Sequence, residues 1–154
     1  MSKSRRKSAS KMLTEREVEY LKTVSKLLSG RETVGSLEIA EAMGVSCATA
    51  SETLKKLYDK GMLKREPWKG VSLSEAGIRE VDKVIRNHRV FETYAYRFLS
   101  IRLEDACRCA RKVELLLPEE VVDSMCSIMG HPEKCPHNEN IPRGEGCCLR
   151  KQQL

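Results

Sequence analysis

Residues 44–77, GVSCATASETLKKLYDKGMLKREPWKGVSLSEAG, decide how this chain folds. Ser46 stands where a helix N-cap belongs. Behind it Ala50, Leu54, Leu57 and Tyr58 recur at helical spacing, so the segment reads as a helix with one buried face, closed by Gly61. Two short β-prone runs, 62–66 and 71–74, flank the tetrapeptide PWKG. Pro67 and Gly70 are turn formers, which makes a β-hairpin the natural reading. Upstream, Ser36 is expected to cap a short helix that turns Ile39, Ala40 and Met43 inward and stops at Gly44. Further back, Thr14 and Glu17 form a capping box ahead of Val18, Leu21, Val24, Leu27 and Leu28, a helix expected to end near Gly30. Helix, glycine turn, helix and hairpin, in that order, make a winged helix-turn-helix.

Beyond the hairpin, Ser74 is placed to cap a long helix. Its Ile78, Val81, Val84, Ile85, Val90, Phe91, Tyr94 and Phe98 keep the 3.6-residue period. Two more helices are expected, one over 104–117 ended by Pro118 and one over 119–129. An irregular tail rich in Pro, Gly and Cys follows. The expected fold is mainly α, an N-terminal winged helix-turn-helix followed by a helical domain. The boundaries read as a basic disordered arm (1–11), a DNA-binding domain (12–77), a helical domain (78–143) and a Cys-containing tail (144–154).

Charge supports the assignment of the first domain. The chain of 154 residues carries a net charge of +6. Residues 1–77 hold 15 Lys and Arg against 10 Asp and Glu, whereas residues 78–154 hold 13 against 12. The basic excess therefore sits with the helix-turn-helix, where a polyanion would be met. In this fold the second helix of the pair enters the major groove with its N-terminal residues nearest the bases. Ser46, Ala48, Thr49 and Ser51 are small or hydroxyl-bearing residues at that end, and Glu52 can accept from a cytosine amino group. Lys55 and Lys56 can neutralise phosphates, with Lys64, Arg65 and Lys69 on the wing. Trp68 and Lys69 stand at the wing tip, where the sugar–phosphate backbone would pass. The partner implied is a double-stranded DNA operator.

No apolar run approaches the ~20 residues that span a bilayer, so no membrane role is expected. The basic start, MSKSRRKSASK, lacks the apolar core of a secretory signal. A cytoplasmic protein is expected, in which the seven cysteines act as thiols or ligands more readily than as disulfides. Six of the seven follow residue 100.

The segments EYLKTVSKLL, IAEAMGVSCATASETLKKLYDKGMLKREPWKGVSLSEAGIREVDKVIRNHRVFE and GHPEKCPHNENIP together resemble the diphtheria toxin repressor family of iron- and manganese-dependent transcriptional repressors. The resemblance spans about residues 14–143. It implies a metal-activated homodimer in which the helical domain serves dimerisation and metal binding. It also places metal ligands. His88 and Glu92 match the family's His and Glu at i, i+4, on one side of the long helix. Cys107 stands where a His commonly completes that site, and Glu114 matches a family carboxylate. Glu19, on the first helix, takes the place of a Met or Asp. Arg111 and Leu115 depart from the pattern, replacing a Cys or Glu and a His.

Two metal readings stay open. A single divalent site built on His88, Glu92 and Cys107 has a mixed N/O/S donor set that suits Fe²⁺ foremost, with Mn²⁺, Zn²⁺ or Co²⁺ as alternatives. The other reading gathers Cys107, Cys126, Cys135 and Cys147 or Cys148 around an iron–sulfur cluster or zinc, although no short CxxC spacing supports it. A rival of a different class is a thiol-based redox regulator that binds no metal. No enzyme is expected, because no His or acid stands in a plausible catalytic arrangement with a cysteine.

Overall fold

The computed structural model describes residues 12–148, so the arm 1–11 and residues 149–154 lie outside the description. Six helices and one hairpin follow in order: α1 (Glu15–Leu27), α2 (Ser36–Met43), α3 (Cys47–Asp59), β1 (Leu63–Glu66), β2 (Gly70–Leu73), α4 (Glu75–Phe98), α5 (Leu103–Val113) and α6 (Glu119–Ile128). The chain divides into two compact units, 1–81 and 82–154, with the division inside α4. It falls a few residues beyond the boundary expected at Gly77.

In the first unit the capping box forms as read. The Thr14 side chain accepts from the Glu17 amide, and the Glu17 carboxylate accepts from the Thr14 amide at 2.7 Å. Val18, Tyr20, Leu21 and Val24 of α1 pack with Ile39, Ala40, Ala50, Leu54 and Leu57 in one core. The 13-residue α3 is capped by Ser46, as expected. At α2 the reading shifts by one residue. Gly35 holds the extended N-cap conformation and Ser36 is already helical, with no side-chain cap.

Strands β1 and β2 pair antiparallel with Leu63 opposite Leu73 and Glu66 opposite Gly70, leaving Pro67, Trp68 and Lys69 as the tip. Val34 adds a bridge to Val71, with both backbone hydrogen bonds at 2.8–2.9 Å. Gly70 is required there. Its φ is +121°, and a Cβ would lie 2.5 Å from the Val34 carbonyl oxygen.

Glu17 is buried and pairs with Lys60, Nζ to Oε2 2.7 Å, and the same ammonium donates to the Met12 carbonyl. Burial alone would raise the Glu17 carboxyl. The Lys60 hydrogen bond and charge and the Thr14 amide outweigh it and hold it below its ordinary 4.5. A carboxyl depressed in the folded state stabilises fully above its unfolded value and loses that contribution as pH falls through the folded one. Glu17→Gln is therefore expected to cost on the order of 1–2 kcal/mol at neutral pH, with the gap to the parent closing below about pH 4. Urea melts over a pH series check it, and a gap that stays constant with pH would contradict it.

In the second unit, Val90, Val122, Met125, Cys126, Cys135 and Ile141 form the core, with Phe91, Tyr94, Leu117 and Met129 against it. The 24-residue α4 starts as read, with Ser74 Oγ accepting from the Gly77 amide. Two residues of its expected apolar face, Ile78 and Phe98, are exposed. Helix α5 stops at Val113 instead of running to 117, and the buried Asn87 side chain donates to the freed Glu114 carbonyl at 2.9 Å. Residue 118, the next donor in the helical ladder, is a proline without an N–H, so the Glu114 carbonyl is left open and the Asn87 amide satisfies it. Helix α6 closes in a Schellman turn: the His131 amide bonds the Cys126 carbonyl at 2.9 Å and the Gly130 amide the Ser127 carbonyl at 3.0 Å.

Candidate metal centre and nucleic-acid interface

On the first unit, Ser46, Ala48, Ser51, Glu52, Lys55 and Lys56 are exposed along α3, and Thr49 is half-buried. Part of the hydroxyl chemistry is spent locally: Ser46 Oγ accepts from the Thr49 amide at 3.2 Å and contacts Thr49 Oγ1 at 2.9 Å. Glu52 and Lys56 form an exposed i, i+4 pair at 3.2 Å, so Glu52 must leave Lys56 before it can accept from a base. Trp68 is fully exposed and sits in the left-handed region at φ 67°, an unusual conformation for a bulky side chain. A cleft of about 480 Å³ separates α3 from the hairpin, lined by Ser51, Lys55, Tyr58, Arg65 and Trp68 among others. Ser51, Lys55, Arg65 and the wing-tip indole therefore share one open cleft, with Glu66 also on its wall.

In the second unit, α4 and α5 bring His88, Glu92 and Cys107 together, with one donor atom from each within 4.8 Å of the others. His88 Nε2 stands 3.6 Å from Cys107 Sγ and 3.8 Å from Glu92 Oε2. The other ring nitrogen, Nδ1, donates to Glu114 Oε2 at 2.7 Å. That bond leaves the Nε2 lone pair facing the cysteine and the glutamate. Carboxylate, imidazole and open donor set in sequence are the arrangement by which proteins orient a metal-binding histidine. Glu114 thus meets the ring nitrogen that faces away from Cys107 and is not among the three grouped donors.

Glu92 supplies the test of whether an ion fits. Its side chain is 1 % exposed, and Oε1 has no hydrogen-bond partner, although His137 Nδ1 approaches it to 2.5 Å without hydrogen-bond alignment. A buried carboxylate with an orphaned oxygen is costly unless a cation offsets it. Glu92 also belongs to a second group, with Cys135 and His137. The two oxygens of one carboxylate therefore face two donor sets.

The cysteines do not gather as the sequence reading allowed. Cys107 lies with His88, and Cys135 with Glu92 and His137. Cys126, Cys147 and Cys148 form a third group with His131. Within it burial is the largest influence on each thiol, and it carries Cys147 up to about 12 with help from the neighbouring thiols. For Cys148 burial is outweighed by hydrogen bonds from the Gly144 backbone, His131 and Cys126 and by the Arg86 charge, and the thiol falls to about 6. Cys47 and Cys109 are exposed and belong to no group among the described residues. Glu19 is exposed on α1 and pairs with Lys22 at 3.2 Å. Arg111 is exposed on α5.

His131 and His137, present in the sequence reading only within GHPEKCPHNENIP, are brought by the structure into the group of Cys126, Cys147 and Cys148 and the group of Glu92 and Cys135 respectively. Gly130 and His131 both lie in the left-handed region, φ 75° and 58°, which histidine enters more readily than most non-glycine residues.

Known protein families match both parts of the chain. The iron-dependent repressor N-terminal DNA-binding domain matches residues 12–71, and the iron-dependent repressor metal-binding and dimerisation domain matches residues 74–143. The uncharacterized HTH-type transcriptional regulator MJ0568 of Methanocaldococcus jannaschii is 26% identical, over 62% of this chain and 77% of its own. Among solved structures, the hypothetical protein SSo2273 from Sulfolobus solfataricus superposes with a TM-score of 0.75 at 29% identity, covering 85% of this chain and 100% of that one. ScaR with bound Zn²⁺ gives 0.72 at 28% identity, covering 82% of this chain, which spans 59% of ScaR. None of these supports a thiol-redox regulator or an iron–sulfur centre. No helix among the described residues is long and apolar enough to cross a membrane.

Proposed function

Because the chain belongs to the iron-dependent repressor family, we propose that it is a homodimeric transcriptional repressor whose DNA affinity is set by a divalent metal held at His88, Glu92 and Cys107. The observation that carries this reading is the buried Glu92 carboxylate, whose Oε2 stands 3.8 Å from Nε2 of a His88 ring that bonds Glu114 through its other nitrogen and lies 3.6 Å from Cys107 Sγ. A bound Fe²⁺ would supply the positive charge that this donor set lacks. The mixture of imidazole, carboxylate and thiolate favours Fe²⁺ over Mn²⁺.

The chain's own residues carry the response onward. With its donors drawn together, His88 and Glu92 on α4 are fixed relative to Cys107 on α5. Helix α4 continues without a break to Glu75, two residues after the last wing residue, Leu73. Fixing α4 narrows the orientations open to the winged domain and lowers the entropy lost when two copies dock on adjacent major-groove sites. On DNA, Lys55, Lys56 and Lys69 neutralise phosphates, and Ser46, Ala48, Thr49 and Ser51 lie nearest the bases.

The single tryptophan makes the test direct. Genomic fragments selected with the anaerobic Fe²⁺-loaded protein are titrated while Trp68 emission is followed. Quenching or a blue shift is expected with Fe²⁺ present and not with chelator, together with a salt slope. Replacing Lys55 and Lys69 by Ala is expected to flatten the slope of log affinity against log salt by about 1 for each lysine. Equal DNA affinity with metal and with chelator would refute metal control.

A further inference from the structure

We propose that Cys126, His131, Cys147 and Cys148 form a second metal site, a closed Cys3His centre for one zinc-like divalent ion that pins the C-terminal tail to α6. It shares no donor with the His88 centre, so neither reading depends on the other.

The geometry is that of ligands on a single ion. A tetrahedral centre with Zn–S of about 2.3 Å and Zn–N of about 2.0–2.1 Å has S···S edges near ~3.8 Å and S···N edges near ~3.5 Å. Here Cys126 Sγ and Cys148 Sγ are 3.8 Å apart. His131 Nδ1 is 3.7 Å from Cys126 Sγ and 3.3 Å from Cys147 Sγ. All four donor atoms lie within 4.8 Å of one another. The thiolates of a multi-iron cube radiate from separate irons and stand farther apart. The Cys126–Cys148 separation is also well beyond a disulfide's ~2.05 Å.

The surroundings are built for an anionic centre. Three thiolates, a neutral imidazole and a divalent ion sum to one negative charge. Arg86 lies against it, with Nη1 3.7 Å from Cys126 Sγ and 3.8 Å from Cys148 Sγ. This guanidinium is buried, and its other contacts are the Pro142 carbonyl and Asp123, the latter at 2.8 Å. Gly144 is flush against it, since a Cβ there would lie 2.7–2.8 Å from three guanidinium atoms. His131 is held over Cys126 by the Schellman turn, with its amide on the Cys126 carbonyl and its φ at 58°. Cys126 is wholly buried, and the protein supplies all four ligands, the arrangement of a structural ion.

The test uses the full chain, reduced, anaerobic and stripped of metal, in a His88→Ala/Cys107→Ser background that removes the first centre. Titration with Co²⁺ is expected to saturate at one equivalent, with sulfur-to-cobalt charge transfer and the intense ligand-field bands of a tetrahedral thiolate site. One equivalent of Zn²⁺ should then bleach them. Cys147→Ser and Cys148→Ser should each weaken Co²⁺ binding at least roughly tenfold. Cys109→Ser, at an exposed cysteine outside the group, should not. Zn²⁺ in large excess over its Kd should raise Tm by roughly 10 °C or more, and less in either serine variant. Weak octahedral cobalt bands overturn the proposal, as do bands that survive both serine substitutions. So does a reduced protein that forms a Cys126–Cys148 disulfide in preference to taking up zinc. Loss of metal-dependent DNA binding alone bears on the His88 centre and leaves this one standing.

Discussion

His88→Ala is expected to abolish the metal-dependent gain in DNA affinity. Allosteric couplings of this kind run at about 1–3 kcal/mol, roughly five- to 150-fold in affinity. Removing the imidazole takes away the donor that faces both Cys107 and Glu92. The ratio of Kd with chelator to Kd with Fe²⁺ should fall from that range to about one, while the chelator value stays put. Glu114→Gln separates orientation from ligation. It weakens the acceptor for His88 Nδ1 but removes no donor from the group, so metal affinity should drop by roughly 10–100-fold while the response at saturating metal survives. Anisotropy titrations at graded Fe²⁺ read both quantities. A His88→Ala protein that still responds fully would remove His88 from the centre. A Glu114→Gln protein without response at any metal concentration would make Glu114 a ligand.

The second large effect has the opposite sign from the one that helix propensity suggests. Gly77 lies in the first turn of α4, where Ala would ordinarily be favoured by about 1 kcal/mol. A Cβ at this position, however, would stand 2.1 Å from the Met62 carbonyl oxygen and 3.3 Å from Leu73 Cδ2. That carbonyl is backbone and already accepts from the Ser74 amide at 3.0 Å, so it cannot swing aside without loosening the junction of hairpin and helix. Gly77→Ala is expected to destabilise by roughly 2–4 kcal/mol, at or beyond the upper end of ordinary overpacking, and to depress DNA binding as the hairpin shifts. Urea melts give the size. A variant as stable as the parent would mean that α4 tolerates displacement at its start.

Much of the DNA-binding half was legible because its signals are local. Ser46 caps α3 and Thr14 forms its box with Glu17 as read, and Pro67 and Gly70 bracket the hairpin tip. The donor groups were legible only in part. His88 and Glu92 are one helical turn apart and could be paired by counting, whereas Cys107 entered through a family resemblance. His131 and His137 reach their groups through left-handed turns whose consequence is tertiary. Cys135 looked like a partner for Cys126 and lies instead with Glu92.

The sequence by itself determined the order of helices, the wing, the basic bias of the first half and the i, i+4 pair on α4. Those follow from periodicity, capping and composition, which act over a few residues. Tertiary structure alone decided that the Asn87 side chain takes up the open Glu114 carbonyl and that the Glu114 carboxylate turns to His88. It alone decided that five of the seven cysteines part into separate groups with Arg86 over one of them. Each depends on where distant segments meet, and a donor's neighbours across 20 to 60 residues of chain are set by core packing, which no local pattern encodes.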